Sequence, residues 1–221
     1  MRKSLHITVF GAAGNVGRRV VAEGLARGHV VTAVVRDPAR ARAAGLPEAA
    51  EIRTGDAGNA EDVAALSAGQ DLVISATRPA PGQERELVAM AEALLAGAGK
   101  AGTRLLLVGG AGSLFVPGSG GLAPIVDDPV YVPEEVRPIA LACGEQLAVC
   151  RAADETVDWT YLSPPALLEP GERTGAYRLG RDELLVDGEG NSAVSMEDLA
   201  VALLDEAEEP RHRRARFTVA Y

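Results

Sequence analysis

Apolar residues along this chain switch repeatedly between two spacings. His6-Ile7-Thr8-Val9-Phe10 is an apolar run of strand length. From Asn15 the spacing becomes helical, with Val16, Val20, Val21 and Leu25 on one face, up to Arg27 and a terminating Gly28. The alternation then repeats. His29 to Val35 is a β-branched run, Pro38 to Ala44 a short helix, and Glu51 to Arg53 a brief strand. Asn59-Ala60-Glu61-Asp62 reads as an N-cap with an acidic first turn and opens a helix to Ala68. Asp71 to Ala76 predicts a fourth strand, Gln83 to Ala96 a helix, and Arg104 to Val108 a fifth strand. Such alternation predicts an α/β fold built on a doubly wound parallel sheet. Right-handed crossovers put the strand ends carrying Gly11, Arg36, Thr77 and Gly109 on one edge, where open α/β sheets bind ligands.

The second half has another texture. Gly110 to Pro138 is rich in glycine and proline with little periodicity, as in a functional or mobile loop. Ile139 to Ala153 predicts a helix, and Val157 to Leu162 a sixth strand stopped by Ser163-Pro164-Pro165. Tyr177 to Val186, interrupted at Gly180-Arg181-Asp182, reads as a small hairpin. Ser195-Met196-Glu197-Asp198 has the form of a capping box opening a helix to Glu208, and Phe217 to Ala220 is a terminal strand. Neither an internal repeat nor a linker is visible. We expect one domain, 1–221, with loop 110–138 and segment 163–195 forming its substrate side.

Between the first strand and helix lies Gly11-Ala12-Ala13-Gly14-Asn15-Val16-Gly17. Strand, glycine-rich turn and helix is the arrangement that binds a nucleotide pyrophosphate. Gly11 permits the tight turn. Gly14 removes a side chain where backbone N–H groups must approach phosphate oxygens, and Gly17 lets the helix pack close to the sheet. Asn15 and Val16 open the helix, whose unpaired N–H groups and partial positive charge face the anion. A strand-to-helix turn without a ligand is the plain alternative.

The second strand ends at Arg36, 19 residues past Gly17. In dinucleotide-binding Rossmann units an acid there bonds the ribose 2′-OH, and an arginine there holds a 2′-phosphate. The expected cofactor is therefore NADPH rather than NADH. A solvated Arg36, or one paired with Asp37, is the competing reading.

Composition acts by exclusion. Residues are 47% hydrophobic and 4% aromatic, as suits a parallel sheet covered on both faces. A net charge of −9 disfavours nucleic acid as a partner. No apolar run approaches the roughly 20 residues of a membrane span. Met1-Arg2-Lys3-Ser4 runs directly into a strand, so no signal peptide is expected and the basic pair reads as a solvated end. These features point to a cytoplasmic protein, monomeric or homodimeric. Cys143 and Cys150 fall seven apart on a predicted helix, about 10.5 Å along its axis, too far for a disulfide. No Cys/His cluster has metal-ligand spacing, and His29 reads as structural.

Taken together these residues resemble the atypical short-chain dehydrogenase/reductases (SDRs). The G-x-x-G-x-x-G spacing, Arg36-Asp37-Pro38, Gly55-Asp56, Val108-Gly109-Gly110-Ala111-Gly112-Ser113 and Asp158-Trp159-Thr160-Tyr161-Leu162-Ser163-Pro164 carry the likeness. Glu169 to Gly175 and Asp187 to Ser192 look like the group provisionally named NADH-flavin reductases or NAD(P)H-binding proteins. Biliverdin reductase B and the NmrA-type regulators are more distant relatives. The resemblance implies cofactor contacts from Gly11, Ala13, Gly14, Asn15, Val16, Gly17 and Arg36. It places Asp56 and Ala57 at the adenine, where a simple turn competes, and Ala76 and Thr77 at the nicotinamide-side ribose. Gly109, Gly110, Ser163 and Pro164 fall along the same cofactor.

One departure bears on mechanism. SDR alcohol dehydrogenases use Tyr-x-x-x-Lys, in which the lysine lowers the tyrosine pKa. Here the lysines are Lys3 and Lys100, and four residues after Tyr131, Tyr161 and Tyr177 stand Glu135, Pro165 and Arg181. Ser113 stands where SDRs place a substrate-binding serine, with a turn-capping role as the alternative. Reduction of a planar acceptor such as a flavin or quinone needs hydride transfer and little acid–base chemistry. Leu114, Phe115, Tyr131 and Pro164 are candidate walls of its slot, each also open to ordinary packing. A non-catalytic NADP(H) sensor is a second reading. Reduction or isomerisation of a small carbonyl compound, with Tyr131 or Ser113 as proton donor, is a third.

Overall fold

The computed structural model describes residues 3–221, apart from the side chains of Arg40 and Arg42, and it realises the alternation as a wound sheet. Its strands are β1 (His6–Phe10), β2 (Val30–Val35), β3 (Glu51–Thr54), β4 (Leu72–Ser75), β5 (Arg104–Val108), β6 (Trp159–Ser163), β7 (Leu167–Glu169), β8 (Arg178–Gly180), β9 (Ala193–Ser195) and β10 (Ala215–Ala220). Its α-helices are α1 (Asn15–Ala26), α2 (Pro38–Ala43), α3 (Ala60–Ser67), α4 (Glu86–Ala101), α5 (Arg137–Ala152) and α6 (Met196–Glu208). Eight strands form one sheet in the order β3-β2-β1-β4-β5-β6-β10-β8, all parallel except β8. The order reverses between β1 and β4, the switch point at which such sheets open a ligand crevice.

Alternation within the strands divides the core between the two faces. Ile7, Val9, Val20, Val21, Leu203 and Leu204 pack together under α1 and α6. Phe10, Val73, Leu94, Leu105, Leu107 and Leu147 pack on the opposite face under α4 and α5. Asn59 caps α3 by accepting from the N–H groups of Glu61 and Asp62. Lys3, at the first described residue, pairs with Asp71 at the surface. Met1 and Arg2 lie outside the described residues.

Several predicted elements change. Helix α4 runs five residues past the predicted Ala96, to Ala101, and ends at Gly102 with φ 66°. Gly97 is not a helix stop. A Cβ there would lie 2.5 Å from Val63 of α3, so this glycine lets the two helices touch. Helix α5 begins two residues early because Pro138 sits in its first turn, where a missing N–H costs nothing. The expected hairpin at Tyr177 to Val186 is absent. β8 pairs with the free edge of β10 instead, while Leu184 bonds Phe115 in the long loop. The β7–β9 pair is three residues long, too short for periodicity to reveal. The expected capping box is half made. Ser195 accepts from Asp198 N–H at 2.9 Å, but the Asp198 carboxylate turns to Thr174, Gly175 and Tyr221.

Loop 110–138 is not loose chain. It makes short helical turns at Ile125–Asp127 and Glu134–Val136 and folds around its own small core of Leu114, Ile125, Val132 and Leu184. Both cysteines are buried and free, and His29 is buried with Nε2 3.1 Å from Glu208.

Candidate functional site

A cleft of about 560 Å³ runs along the carboxyl edge of the sheet, within the range of cofactor sites. At its centre is the glycine turn. Gly11 has φ 74°, and a Cβ on it would lie 2.6 Å from Ala76 O. Gly14 is the N-cap of α1 and offers no side-chain cap, so the first N–H groups of that helix have no side-chain acceptor. Gly17 is buried behind the turn. A Cβ there would meet Gly11 O at 2.1 Å, so its task is to let the helix pack on its own turn more than on the sheet. A cradle with no room for side chains, and with its donors open, is what a pyrophosphate requires.

The end of the cleft where the sequence reading expects the adenosine is built by β2 and β3. Arg36 is exposed on the cleft and makes no hydrogen bond or ion pair among the described residues. Asp37 does not pair with it, because Asp37 Oδ1 accepts from Ala39 N–H at 2.9 Å and starts α2. Asp56 lines the cleft beside Ala57 and closes its own turn, Oδ1 accepting from Gly58 N–H at 2.9 Å.

The opposite end opens between β4, β5 and β6. Ala76, Thr77, Gly109, Gly110, Tyr131 and Pro164 all line it. Beneath Gly109 lies Tyr161, whose ring a Cβ on that glycine would meet at 1.9 Å. The Tyr161 hydroxyl is 2.8 Å from Cys143 O and 3.0 Å from Gln146 Oε1, and burial pushes its pKa well above the usual tyrosine range. It is a floor residue, not an activated phenol. The Tyr131 hydroxyl donates to Gly190 O at 3.4 Å, tying the long loop to the turn at Asp187.

Three expected residues stand apart from the lining. Ser113 Oγ accepts from the buried Arg216 at 2.9 Å, so the loop serine anchors the loop to β10. Ser163 is fully buried at the end of β6, and Gly17 supports the turn from behind. Of the proposed walls, Leu114 is fully buried in the loop's own core and Phe115 is bridged to Pro124 and Glu183. The cleft is lined instead by Ile139, Ala140 and Cys143 of α5 and by Leu168 of β7, while Met90 of α4 lies toward Asp56, where a Cβ on Gly58 would meet it at 3.7 Å. Sequence reasoning missed these because periodicity assigns the α5 face to the core and the three-residue β7 is too short to show any periodicity. Arg78, three residues past β4, was also missed, although its place after a strand end was a usable signal.

Comparison with known proteins agrees with this geometry. The chain is 39% identical over 222 residues to the uncharacterized protein YwnB of Bacillus subtilis, covering 97% of this chain and 98% of that one. A protein of Burkholderia pseudomallei, provisionally named as exported, is 39% identical with a TM-score of 0.87, over 98% of this chain and 100% of the other. A provisionally named NADH-flavin reductase of Streptococcus pneumoniae is 30% identical with a TM-score of 0.85, over 98% and 99% of the two chains. No described helix is long and apolar enough to cross a membrane. The family profile described as NAD(P)H-binding matches residues 11–210, which span the cradle and both ends of the cleft. The chain is thus a member of the NAD(P)H-binding family, with a nicotinamide dinucleotide as its cofactor.

Proposed function

We propose that the protein is an NADPH-dependent reductase of a planar acceptor, a free flavin or a quinone, acting by direct hydride transfer. The observation that carries this reading is the contrast within one cleft. A dinucleotide cradle lies at its centre, apolar walls line the end between β4, β5 and β6, and no lysine lines the cleft. The nicotinamide, when bound, supplies a hydride. The α1 N-terminus and Arg36 would hold the phosphates of the dinucleotide. The small residues Ala76, Gly109 and Gly110 would leave room for its ring at the sheet edge, and Ile139 and Pro164 would offer apolar contact to the acceptor. A flavin takes its second hydrogen as a proton from water, so orientation is the protein's main contribution.

Carbonyl reduction fits less well. The Ser113 hydroxyl is held by Arg216, and the Tyr131 hydroxyl faces a backbone carbonyl with no lysine beside it. We assign the reaction to the cytosol, where reduced nicotinamide is regenerated. The test is steady-state oxidation of NADPH with FMN, FAD, quinones and aldehydes. Turnover is expected only with flavins or quinones. Tight NADPH binding without turnover for any acceptor would return the protein to the nucleotide-sensor reading. Turnover confined to aldehydes would return it to carbonyl chemistry.

A further inference from the structure

One wall of the cleft is not part of the main sheet. Pro164 to Glu169 leaves the end of β6 and lines the cleft as it goes. Its strand, β7, pairs only with β9, over three residues. A ladder so short is marginal by itself, and Leu167 within it is 51% exposed. Other contacts must fix where this wall stands.

The first turn of α6 supplies them. Ser195, the N-cap, donates from Oγ to Glu172 O at 2.7 Å, and Glu197 Oε2 accepts from Gly171 N–H at 2.8 Å. Glu197 has a second partner on another element. Its Oε1 accepts from Arg19 Nε at 2.6 Å, and Arg19 Nη1 donates to Asn15 O at 2.8 Å. Asn15 is the first residue of α1 and lines the cleft beside Gly14. One carboxylate therefore joins the phosphate cradle to the chain just past β7. Its ion pair is largely withdrawn from solvent, with Arg19 14% and Glu197 24% exposed, so salt screens it less than a surface pair. Neither side chain lines the cleft, although Met196, next to Glu197, does.

Strand order says which part of the cofactor this brace governs. β2 and β3 lie on one side of β1, and β4, β5 and β6 on the other. A dinucleotide laid across the switch point, with its adenosine over β2 and β3, puts its nicotinamide riboside over β4 to β6. The wall that leaves β6 faces that half. We infer that Glu197, held by Arg19, is a positioning residue for the nicotinamide half of the cofactor. It sets the β7 wall at a fixed distance from the cradle without touching the ligand. This inference rests on the glycine turn being the pyrophosphate cradle, and it holds for any acceptor.

The test compares NADP⁺ with 2′-phosphoadenosine 5′-diphosphate, the same molecule without its nicotinamide riboside. Equilibrium titration well below the melting transition gives a Kd for each. In Glu197→Ala the Kd for NADP⁺ should rise about tenfold, the usual worth of a hydrogen bond to a charged group, and that for the fragment should stay within about twofold. Arg19→Ala should show a smaller loss with the same selectivity, and Arg19→Lys should restore part of it. Because Arg19 acts through Glu197, adding Arg19→Ala to Glu197→Ala should change the Kd by less than about twofold. Arg173→Ala is the control. It frees the same segment from Glu23, about two helical turns past the cradle, and should leave both Kd values alone. Equal losses of NADP⁺ and fragment would overturn the assignment, since the brace would then serve the cradle or the fold at large. So would an unchanged Kd for NADP⁺ in both Glu197→Ala and Arg19→Ala, which leaves the pair a purely structural worth. A wild-type protein that binds NADP⁺ but not the fragment would remove the cradle reading and the brace together.

Discussion

A Cβ placed on Gly17 would lie 2.1 Å from the carbonyl oxygen of Gly11 and 2.8 Å from its carbonyl carbon. The first turn of α1 and the turn that precedes it are therefore in direct backbone contact. That contact aims the α1 N–H groups into the cleft. Gly17→Ala must push the turn away from the helix, and overpacking of this kind costs about 1–3 kcal/mol. We expect a lower melting temperature and NADPH binding weaker by about tenfold or more in this variant. Nucleotide titration and thermal unfolding on the same sample measure both. Wild-type affinity in Gly17→Ala would mean that this turn is not the phosphate cradle.

The 2′-phosphate assignment rests on Arg36 being free of Asp37, whose carboxylate is engaged with Ala39 N–H. A bidentate contact to a charged group is worth about 1.5–3 kcal/mol, or roughly tenfold to a hundredfold in affinity. Arg36→Ala should raise the KM for NADPH by that factor and leave the KM for NADH within about twofold. Equal losses with both cofactors would remove the preference for NADPH.

That Gly11, Gly14 and Arg36 would line one cleft was legible in the sequence and the far walls of that cleft were not, for a physical reason. Gly11, Gly14 and Arg36 are placed on the cleft by local geometry, so residue type and distance from a strand end are enough to find them. The far walls are assembled from α5 and β7, which are remote in the chain from the glycine turn. Ile139 and Ala140 read as helix core because the same apolar spacing serves both purposes. Ser113 had the opposite fate. Its loop position resembled a substrate-binding serine, but its role is set by Arg216, 103 residues away. The parallel sheet and its common carboxyl edge followed from alternation, whereas β8 pairs antiparallel with β10, a long-range pairing that local spacing does not encode.

Cys143 and Cys150 give a test of how closed the α5 face is. Burial pushes their thiols up to about 11 and about 12. The reactive thiolate is therefore scarce near neutral pH. Raised folded pKa values contribute stability that is present below the unfolded thiol value, about 8.5, and lost as pH rises toward the folded values. At pH 8, roughly the unfolded value, alkylation should be slow in the native protein and fast in denaturant. Cys143 lines the cleft and Cys150 does not, so bound NADP⁺ with a flavin should slow Cys143 further and leave Cys150 unaffected. Fast labelling of Cys143 in the native protein, undiminished by ligand, would show that the acceptor wall is open.

Glu206 ties the end of α6 to the sheet. It accepts from Arg104 of β5, from the backbone N–H groups of Arg211 and His212, and from the His212 ring at 2.8 Å. Desolvation alone would raise its pKa, but the His212 backbone and ring and the Arg104 guanidinium together outweigh it and hold the carboxyl below its ordinary value of 4.5. A lowered folded pKa gives stability that is present above the unfolded value and lost as pH falls through the folded one. The wild-type protein should therefore lose stability below about pH 4.5 in part through this group. Glu206→Gln leaves the buried Arg104 charge with only the Asp158 carboxylate, 4.0 Å away, so the loss stays below the roughly 3–5 kcal/mol of a fully unpaired buried charge. Its melting temperature at neutral pH should drop accordingly and depend less on pH across the acid range. Parallel acid profiles for the two proteins, offset by a constant, would show that Glu206 does not carry the acid sensitivity.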